Sequence, residues 1–493
     1  MWNGGRRTAQ RWLSRHEEGH TREESYLLMW TLAELLEATG GALYRAVPAV
    51  QFDAVRIDSR AVQRGDIFVA IRGRRFDGHA FVGDAVSCGA GCVIVERGST
   101  VLPEVERVPV IFVPDTIAAL AALARFHRRK LKPTVIAVTG SCGKTTTKDL
   151  IAHLLGGEAE VLKSQGTQNN HIGVPMTLLS LQPRHRLAIV EMGTNHPGEI
   201  ALLAAIAEPD VAVITNVGPA HLEFLGSIEG VMREKLSLLE KLPATGCAVL
   251  PGNQLDVCLE ALQRLPAGVR VVTAGTTEGS DLQAVEVGRT SQGVTMRLRE
   301  LPHTWQIPLF GAHNVENAMM AVACAWALGV PLSVARERLA LATVSPQRSE
   351  ILRCGSMTIL NDCYNANPLS VARALETLRD MDVERRIAVV GDMLELGDFA
   401  PSAHEAVGRM ASRFGIHTVL AVGQFAECVA SGARDAAFEV SVFENVDDLL
   451  GRLAEVVRPG DGILVKGSRK LQLERVTTFL LERDAKSGGQ SPT

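Results

Sequence analysis

In the middle of the chain, short apolar runs alternate with longer amphipathic stretches. Val135-Ile136-Ala137-Val138 reads as a buried strand. After a polar turn, Lys148-Asp149-Leu150-Ile151-Ala152-His153-Leu154-Leu155 has the apolar spacing of a helix. The alternation recurs in LAIVEMG, whose strand ends at Glu191, and in VAVITNVGPAH, which runs on to His221. Repeated strand–helix units predict a mainly parallel sheet. Ligands of such sheets sit at the carboxyl ends of the strands, so these polar endings are expected to converge.

Two other regions flank this one. Residues 29–130 mix short strands such as GCVIVER with helical pieces, and close on a helix ending His127-Arg128-Arg129-Lys130, with Pro133 just after it. A third region begins near Ser345 and carries MTILNDCYNANP, RIAVVGDMLELGD and GDGILVKGSRK, again strands that end in glycine and charge. The predicted fold class is α/β with three domains: a small mixed domain over 29–130, a central parallel-sheet domain over 131–344, and a Rossmann-like domain over 345–493. Residues 1–28 are polar, dense in charge and without the apolar core of a secretory signal, so they read as a disordered or loosely helical extension. The Ser/Gly-rich stretch Lys486 to Thr493 is expected to be a disordered tail.

At 493 residues the chain exceeds one core, in keeping with three domains. With 51 basic and 55 acidic residues and few aromatics, nothing suggests a nucleic-acid partner. The nine cysteines are scattered; Cys88 and Cys92 lie four apart, but no second pair completes a zinc site. They read as reduced thiols of a cytosolic protein. No apolar run of 18 residues predicts membrane insertion.

The turn after the first central strand carries the chemistry. In Thr139 to Lys148, TGSCGKTTTK, the glycines Gly140 and Gly143 let backbone N–H groups face anionic oxygens, with Ser141 and Cys142 between them. Lys144 adds positive charge, Thr145 adds a hydroxyl of the kind that binds magnesium, and Thr146 completes the nucleotide-binding loop. The loop lacks the glycine at position 138 that an ordinary phosphate loop would have. Glu191, one strand–helix unit after this loop, is placed to hold magnesium across from it, although a strand-end glutamate alone is more often a solvated or capping residue. His221 gains a metal role only through convergence with Glu191.

The combination resembles the Mur ligase family of ATP-dependent amide-forming enzymes. The resemblance rests on TGSCGKTT, TQNNHIGVPMTLL, EMGTNHPGEI, TNVGPAHLEFLG, GAHNVENAMMA, DCYNANP, GDMLELG and VKGSR, in family order, with DSRAVQRGDIFVAIRG and DGHAF near the start. It implies a cytosolic monomer that uses ATP and Mg2+ to join D-alanyl-D-alanine to a UDP-N-acetylmuramoyl tripeptide. A diaminopimelate- or glutamate-adding relative and a non-catalytic nucleotide-binding module are the alternatives; no DNPR motif of the diaminopimelate-adding type is present.

The resemblance also implies roles. Lys144 would stabilise the transferring phosphoryl group. Thr145 and Glu191 would hold one magnesium, and Glu191, His221 and a carbamylated Lys235 a second. By itself Lys235 reads as a surface lysine on a charged helix. Asn314 and Asn317 would lie at the adenine, and Arg348 and Asp362 would approach the nucleotide from the third domain. Asp58, Ser59 and Arg60 would contact uridine diphosphate, Asn169 and Asn170 the muramoyl portion, and Tyr364, Asn365 and Asn367 the dipeptide. A turn-forming role remains open for each of these asparagines.

Overall fold

The computed structural model describes residues 29–45, 51–73, 75–99, 107–156, 160–299, 301–434 and 439–488; the expected extension at 1–28 lies outside them. Three sheets follow one another along the chain. The first contains β1 (Ala42–Arg45), β2 (Val55–Arg56), β3 (Ile67–Val69), β4 (Cys92–Glu96) and β5 (Val110–Val113), in the order β1-β5-β4-β3-β2. Only the edge strand β1 runs antiparallel to its neighbour.

The central sheet has nine strands: β6 (Thr134–Thr139), β7 (Val161–Lys163), β8 (Leu187–Glu191), β9 (Val211–Ile214), β10 (Cys247–Pro251), β11 (Arg270–Gly275), β12 (Leu282–Thr290), β13 (Gly293–Leu298) and β14 (Thr304–Ile307). Their order is β14-β13-β12-β11-β10-β9-β6-β8-β7, with β7 to β12 joined in parallel and an antiparallel extension through β14. Strand β6 is buried on both faces, which explains its unbroken apolar run. Ile136 and Val138 join one core cluster, while Val135 and Ala137 join the other. Because β6 lies between β8 and β9, the three strands with polar endings are immediate neighbours.

The third sheet comprises β15 (Glu350–Cys354), β16 (Met357–Asn361), β17 (Arg385–Gly391), β18 (Thr418–Val422), β19 (Glu439–Phe443) and β20 (Asp461–Lys466). Its order, β15-β16-β20-β17-β18-β19, brings the ends of β16, β20 and β17 side by side. The fold class is the expected three-sheet α/β arrangement.

The helix Thr116–Leu131, capped by Asp115, links the first two regions. The core beneath it includes Leu120 and Leu123, and Ile172, Met176 and Leu179 of the central region pack against the same cluster. One expectation needs correction: the last helix, Glu474–Gly488, runs through Lys486, where a disordered tail was anticipated. The sequence Glu-Arg-Asp-Ala-Lys-Ser contains no glycine or proline to stop a helix before Gly488. Residues 489–493 lie outside the described ones. No helix among the described residues is long and apolar enough to cross a membrane, and none of the nine cysteines forms a disulfide among the described residues.

Candidate active site

The phosphate loop is held from beneath by the residues that follow β9. Thr215 Oγ1 and Asn216 Nδ2 donate to the Cys142 carbonyl, at 2.6 and 3.0 Å, and Asn216 Oδ1 accepts from Cys142 N at 2.9 Å. Ser141 Oγ donates to the Gly218 carbonyl and accepts from Gly218 N. Gly140, with φ +151°, lies so close to this clasp that a Cβ there would stand 1.9 Å from Thr215 Oγ1. The helix starts at Lys144, four residues before the sequence pattern shows it, because the loop glycines hide its first turn. Lys144 Nζ donates to the Gly140 carbonyl at 2.8 Å.

Glu191 connects the loop to its neighbours. Its Oε2 accepts from Thr145 Oγ1 and its Oε1 from Asn169 Nδ2, each at 2.9 Å. Lys148, absent from the sequence-based candidates, is buried 3.9 Å from Glu191 Oε2 and donates to the carbonyls of Ser164 and Gly166. The adjacent Asp149 accepts from Lys163 Nζ and from both N and Oγ of Ser345. Asp149 thus ties the phosphate-loop helix to the start of the third region.

Lys235 is no surface lysine, being only 1% exposed in the helix Ile228–Leu236. Burial, reinforced by the nearby Lys144 charge, pushes its pKa down to about 7. Its neighbour Glu234 faces elsewhere, accepting from Gly198 N, Ile200 N and Thr194 Oγ1. Burial also holds His221 below its usual pKa, with Lys235 and Lys144 adding to the effect and Glu395 opposing it. The Lys144 charge thus weighs on both His221 and Lys235.

The third region closes over this cluster. Asn367 caps the helix Pro368–Arg379, accepts from Cys142 Sγ at 3.2 Å and donates to the Ser141 carbonyl at 3.3 Å. The Arg348 guanidinium lies 3.9 Å from the centre of the Tyr364 ring, and the Tyr364 hydroxyl meets Thr167 Oγ1. Asp362 accepts from the buried Lys466 at 2.6 Å and from Ser349 N at 3.0 Å. His221 Nδ1 lies 2.6 Å from Glu395 Oε2. A groove of about 440 Å³ opens beside this pair, lined in part by Pro219, Leu222 and Ile228 from the central region and by Pro368, Leu396 and Phe399 from the third.

Other candidates have more local partners. Asn317 packs against Gly143, where a Cβ would stand 2.1 Å from Asn317 Oδ1, and donates to Asn314 Oδ1 at 2.8 Å. Asn314 donates to the Phe310 carbonyl. Asn170 Oδ1 accepts from Ile172 N and Gly173 N, a capping role, and Asn365 Oδ1 accepts from Ala366 N. Asp58 and Arg60 form an exposed two-bond pair around the short turn containing Ser59, and Arg60 draws the Asp58 pKa down to about 2. Gln254, given no function from sequence, brackets Val217 through both its N–H and carbonyl and so steadies the turn leading to His221.

The chain is similar to known proteins along nearly its whole length. Residues 51–128 match the Mur ligase family catalytic domain, 138–325 the Mur ligase middle domain, and 347–469 the Mur ligase glutamate ligase domain. The UDP-N-acetylmuramoyl-tripeptide–D-alanyl-D-alanine ligase of Bacillus subtilis is 36% identical over 433 residues, 87% of this chain and 93% of its own. The ligase of the same name from Escherichia coli is 34% identical, covering 92% and 98%. The crystal structure of MurF from Acinetobacter baumannii superimposes with a TM-score of 0.84 at 32% identity, covering 92% of this chain and 99% of that one. MurF ligase from Thermotoga maritima, solved in complex with ADP, gives 0.78 at 28% identity, covering 88% and 98%. With its three regions matched in order and its relatives similar along nearly their whole length, this chain belongs to the Mur ligase family.

Proposed function

We propose that this protein is an ATP-dependent, ADP-forming ligase that joins D-alanyl-D-alanine to UDP-N-acetylmuramoyl-tripeptide, a cytoplasmic step of peptidoglycan precursor synthesis. The observation that carries the reading is the similarity, across nearly the whole chain, to ligases bearing that one name. In the proposed reaction, the terminal carboxylate of the tripeptide attacks the γ-phosphate of ATP, giving an acyl phosphate and ADP. The dipeptide amine then attacks the acyl carbon, and inorganic phosphate leaves from a tetrahedral intermediate.

The chain's residues suit these demands. Lys144 would exchange the Gly140 carbonyl for phosphoryl oxygens and offset their charge in the transition state. Asn317, beside Gly143, and its hydrogen-bond partner Asn314 would lie toward adenine, with Arg348 and Asp362 approaching the nucleotide from the third region. A magnesium ion fits the donors present: a hydroxyl and a carboxylate already 2.9 Å apart at Thr145 and Glu191. Among the described residues no cluster of three or more His, Cys, Asp or Glu could hold a metal, so phosphate and water oxygens would complete its shell. Bound there, magnesium would lessen the repulsion between carboxylate and triphosphate. His221 and the carbamate of Lys235, with Glu191, would hold a second ion.

Asp58, Ser59 and Arg60 would meet the uridine diphosphate, and Asn169 and Asn170 the muramoyl group. The groove beside Pro368 would receive the dipeptide near Tyr364, Asn365 and Asn367. The test is phosphate release from ATP with UDP-N-acetylmuramoyl-tripeptide and a panel of amines. D-alanyl-D-alanine should stimulate release; stimulation by glutamate or diaminopimelate instead would replace the substrate assignment.

A further inference from the structure

The loop after β17 is fastened at nearly every residue. The Asp392 carboxylate accepts from Gln424 N and Phe425 N, and its carbonyl accepts from Ser468 N. Met393 N donates to His404 Nε2, and Leu394 N to Ser468 Oγ. From this rigid base Glu395 reaches into the central region. Its Oε2 meets His221 Nδ1 at 2.6 Å, its Oε1 accepts from Asn195 Nδ2 at 3.4 Å, and its carbonyl accepts from Glu223 N at 3.3 Å. Both Glu395 and His221 hold left-handed backbone conformations, with φ of +63° and +53°. Non-glycine residues keep such conformations only where their surroundings enforce them.

An ionised carboxylate has no proton to give, so the short bond requires Nδ1 of His221 to carry one. The neutral ring then has its lone pair on Nε2. We propose that Glu395 is a positioning residue that fixes His221 in the Nδ1–H tautomer, leaving Nε2 free for a divalent cation once the third region docks. The cation half rests on the proposed function; the tautomer half rests on the hydrogen bond alone. Glu395 belongs to the third region and His221 to the central one, so docking would itself complete the ligand. The second ion would be held firmly only in the closed enzyme, coupling phosphoryl transfer to the arrival of the domain that bears the dipeptide side of the groove.

The test uses the full-length protein with 15N-labelled histidine, the His221 signals being identified by their loss in His221→Ala. Wild type should show a protonated Nδ1 and an unprotonated Nε2. Glu395→Ala should shift the ring toward the Nε2–H form, whereas Glu395→Gln, which keeps an acceptor oxygen, should retain Nδ1–H. If Glu395→Ala fails to fold, Glu395→Ser, too short to reach the ring, takes its place. In parallel, Mn2+ binding in the presence of ADP, followed by electron paramagnetic resonance, should weaken about 10- to 100-fold in Glu395→Ala and little in Glu395→Gln. An unchanged tautomer in Glu395→Ala overturns the positioning role. Unchanged Mn2+ binding in His221→Ala overturns instead the assignment of His221 to the ion, and with it the cation half of the inference.

Discussion

Removing carbon dioxide from solution should inactivate this enzyme through Lys235. The amine is 1% exposed, and burial together with the Lys144 charge brings its pKa to about 7. At pH 7 about half of such amines are neutral, against roughly 0.04% for a lysine in water with a pKa near 10.4. Since only the neutral amine adds to carbon dioxide, the site offers about a thousandfold more reactive nucleophile than a surface lysine. The product carbamate is an anion, so the same Lys144 charge that opposes the ammonium favours it. Carbamate occupancy should therefore fall as pH drops below about 7. With 13C-bicarbonate, wild type should show a carbamate resonance that Lys235→Ala lacks. Activity in carbon dioxide-free buffer should fall at least about tenfold, as expected on losing a metal-site group, and return with bicarbonate. Short carboxylic acids should partly rescue Lys235→Ala. Full activity without carbon dioxide, with no such resonance, would refute the reasoning.

Three further outcomes follow from the same geometry. In the unfolded chain Lys235 titrates near 10.4, so between about pH 7 and that value the unfolded state binds the extra proton and wild-type stability rises with pH. Lys235→Met should accordingly be more stable than wild type in carbon dioxide-free buffer at pH 7, by up to about 4–5 kcal/mol, with the advantage shrinking toward pH 10; lower melting at pH 7 would contradict a buried-amine cost. Asp362→Asn leaves Lys466, 2% exposed, without its counter-charge and should cost about 3 kcal/mol in urea unfolding; a loss below about 1 kcal/mol would show that the carbonyls of Asp362 and Asn365 suffice. Gly143→Ala combines a φ of +78° with a Cβ 2.1 Å from Asn317 Oδ1, so ADP affinity by calorimetry should fall at least about tenfold, the equivalent of 1–2 kcal/mol of left-handed strain; unchanged affinity would count against a loop that must keep this shape.

Much of the architecture was legible because apolar runs that end in glycine, hydroxyl or charge mark strands leading into a site. The approach of Thr139, Glu191 and the β9 end to one another follows from the strand–helix repeat. The helix start at Lys144 was hidden, since glycines and threonines carry no amphipathic period. Partnerships across the chain were hidden too. Lys466 reaches Asp362 across 104 positions because β20 inserts between β16 and β17, a strand order no local pattern reveals. Glu395 stood within a quoted motif, but its partner His221 lies 174 residues away. Asn170 and Asn367 show how both readings of an asparagine can be current: each caps a turn or helix, while Asn367 also touches the phosphate loop. Lys235 lies among alternating charges on its helix, and only tertiary packing makes it a buried amine.

The central claim concerns which amine completes the reaction, and one measurement addresses it directly. Purified enzyme would be given Mg-ATP and UDP-N-acetylmuramoyl-tripeptide, with phosphate release and the nucleotide product followed as D-alanyl-D-alanine, glutamate or diaminopimelate is added. The account predicts release driven by D-alanyl-D-alanine, with formation of a UDP-N-acetylmuramoyl-pentapeptide. Release driven by another amine, or none with any of them, would contradict it.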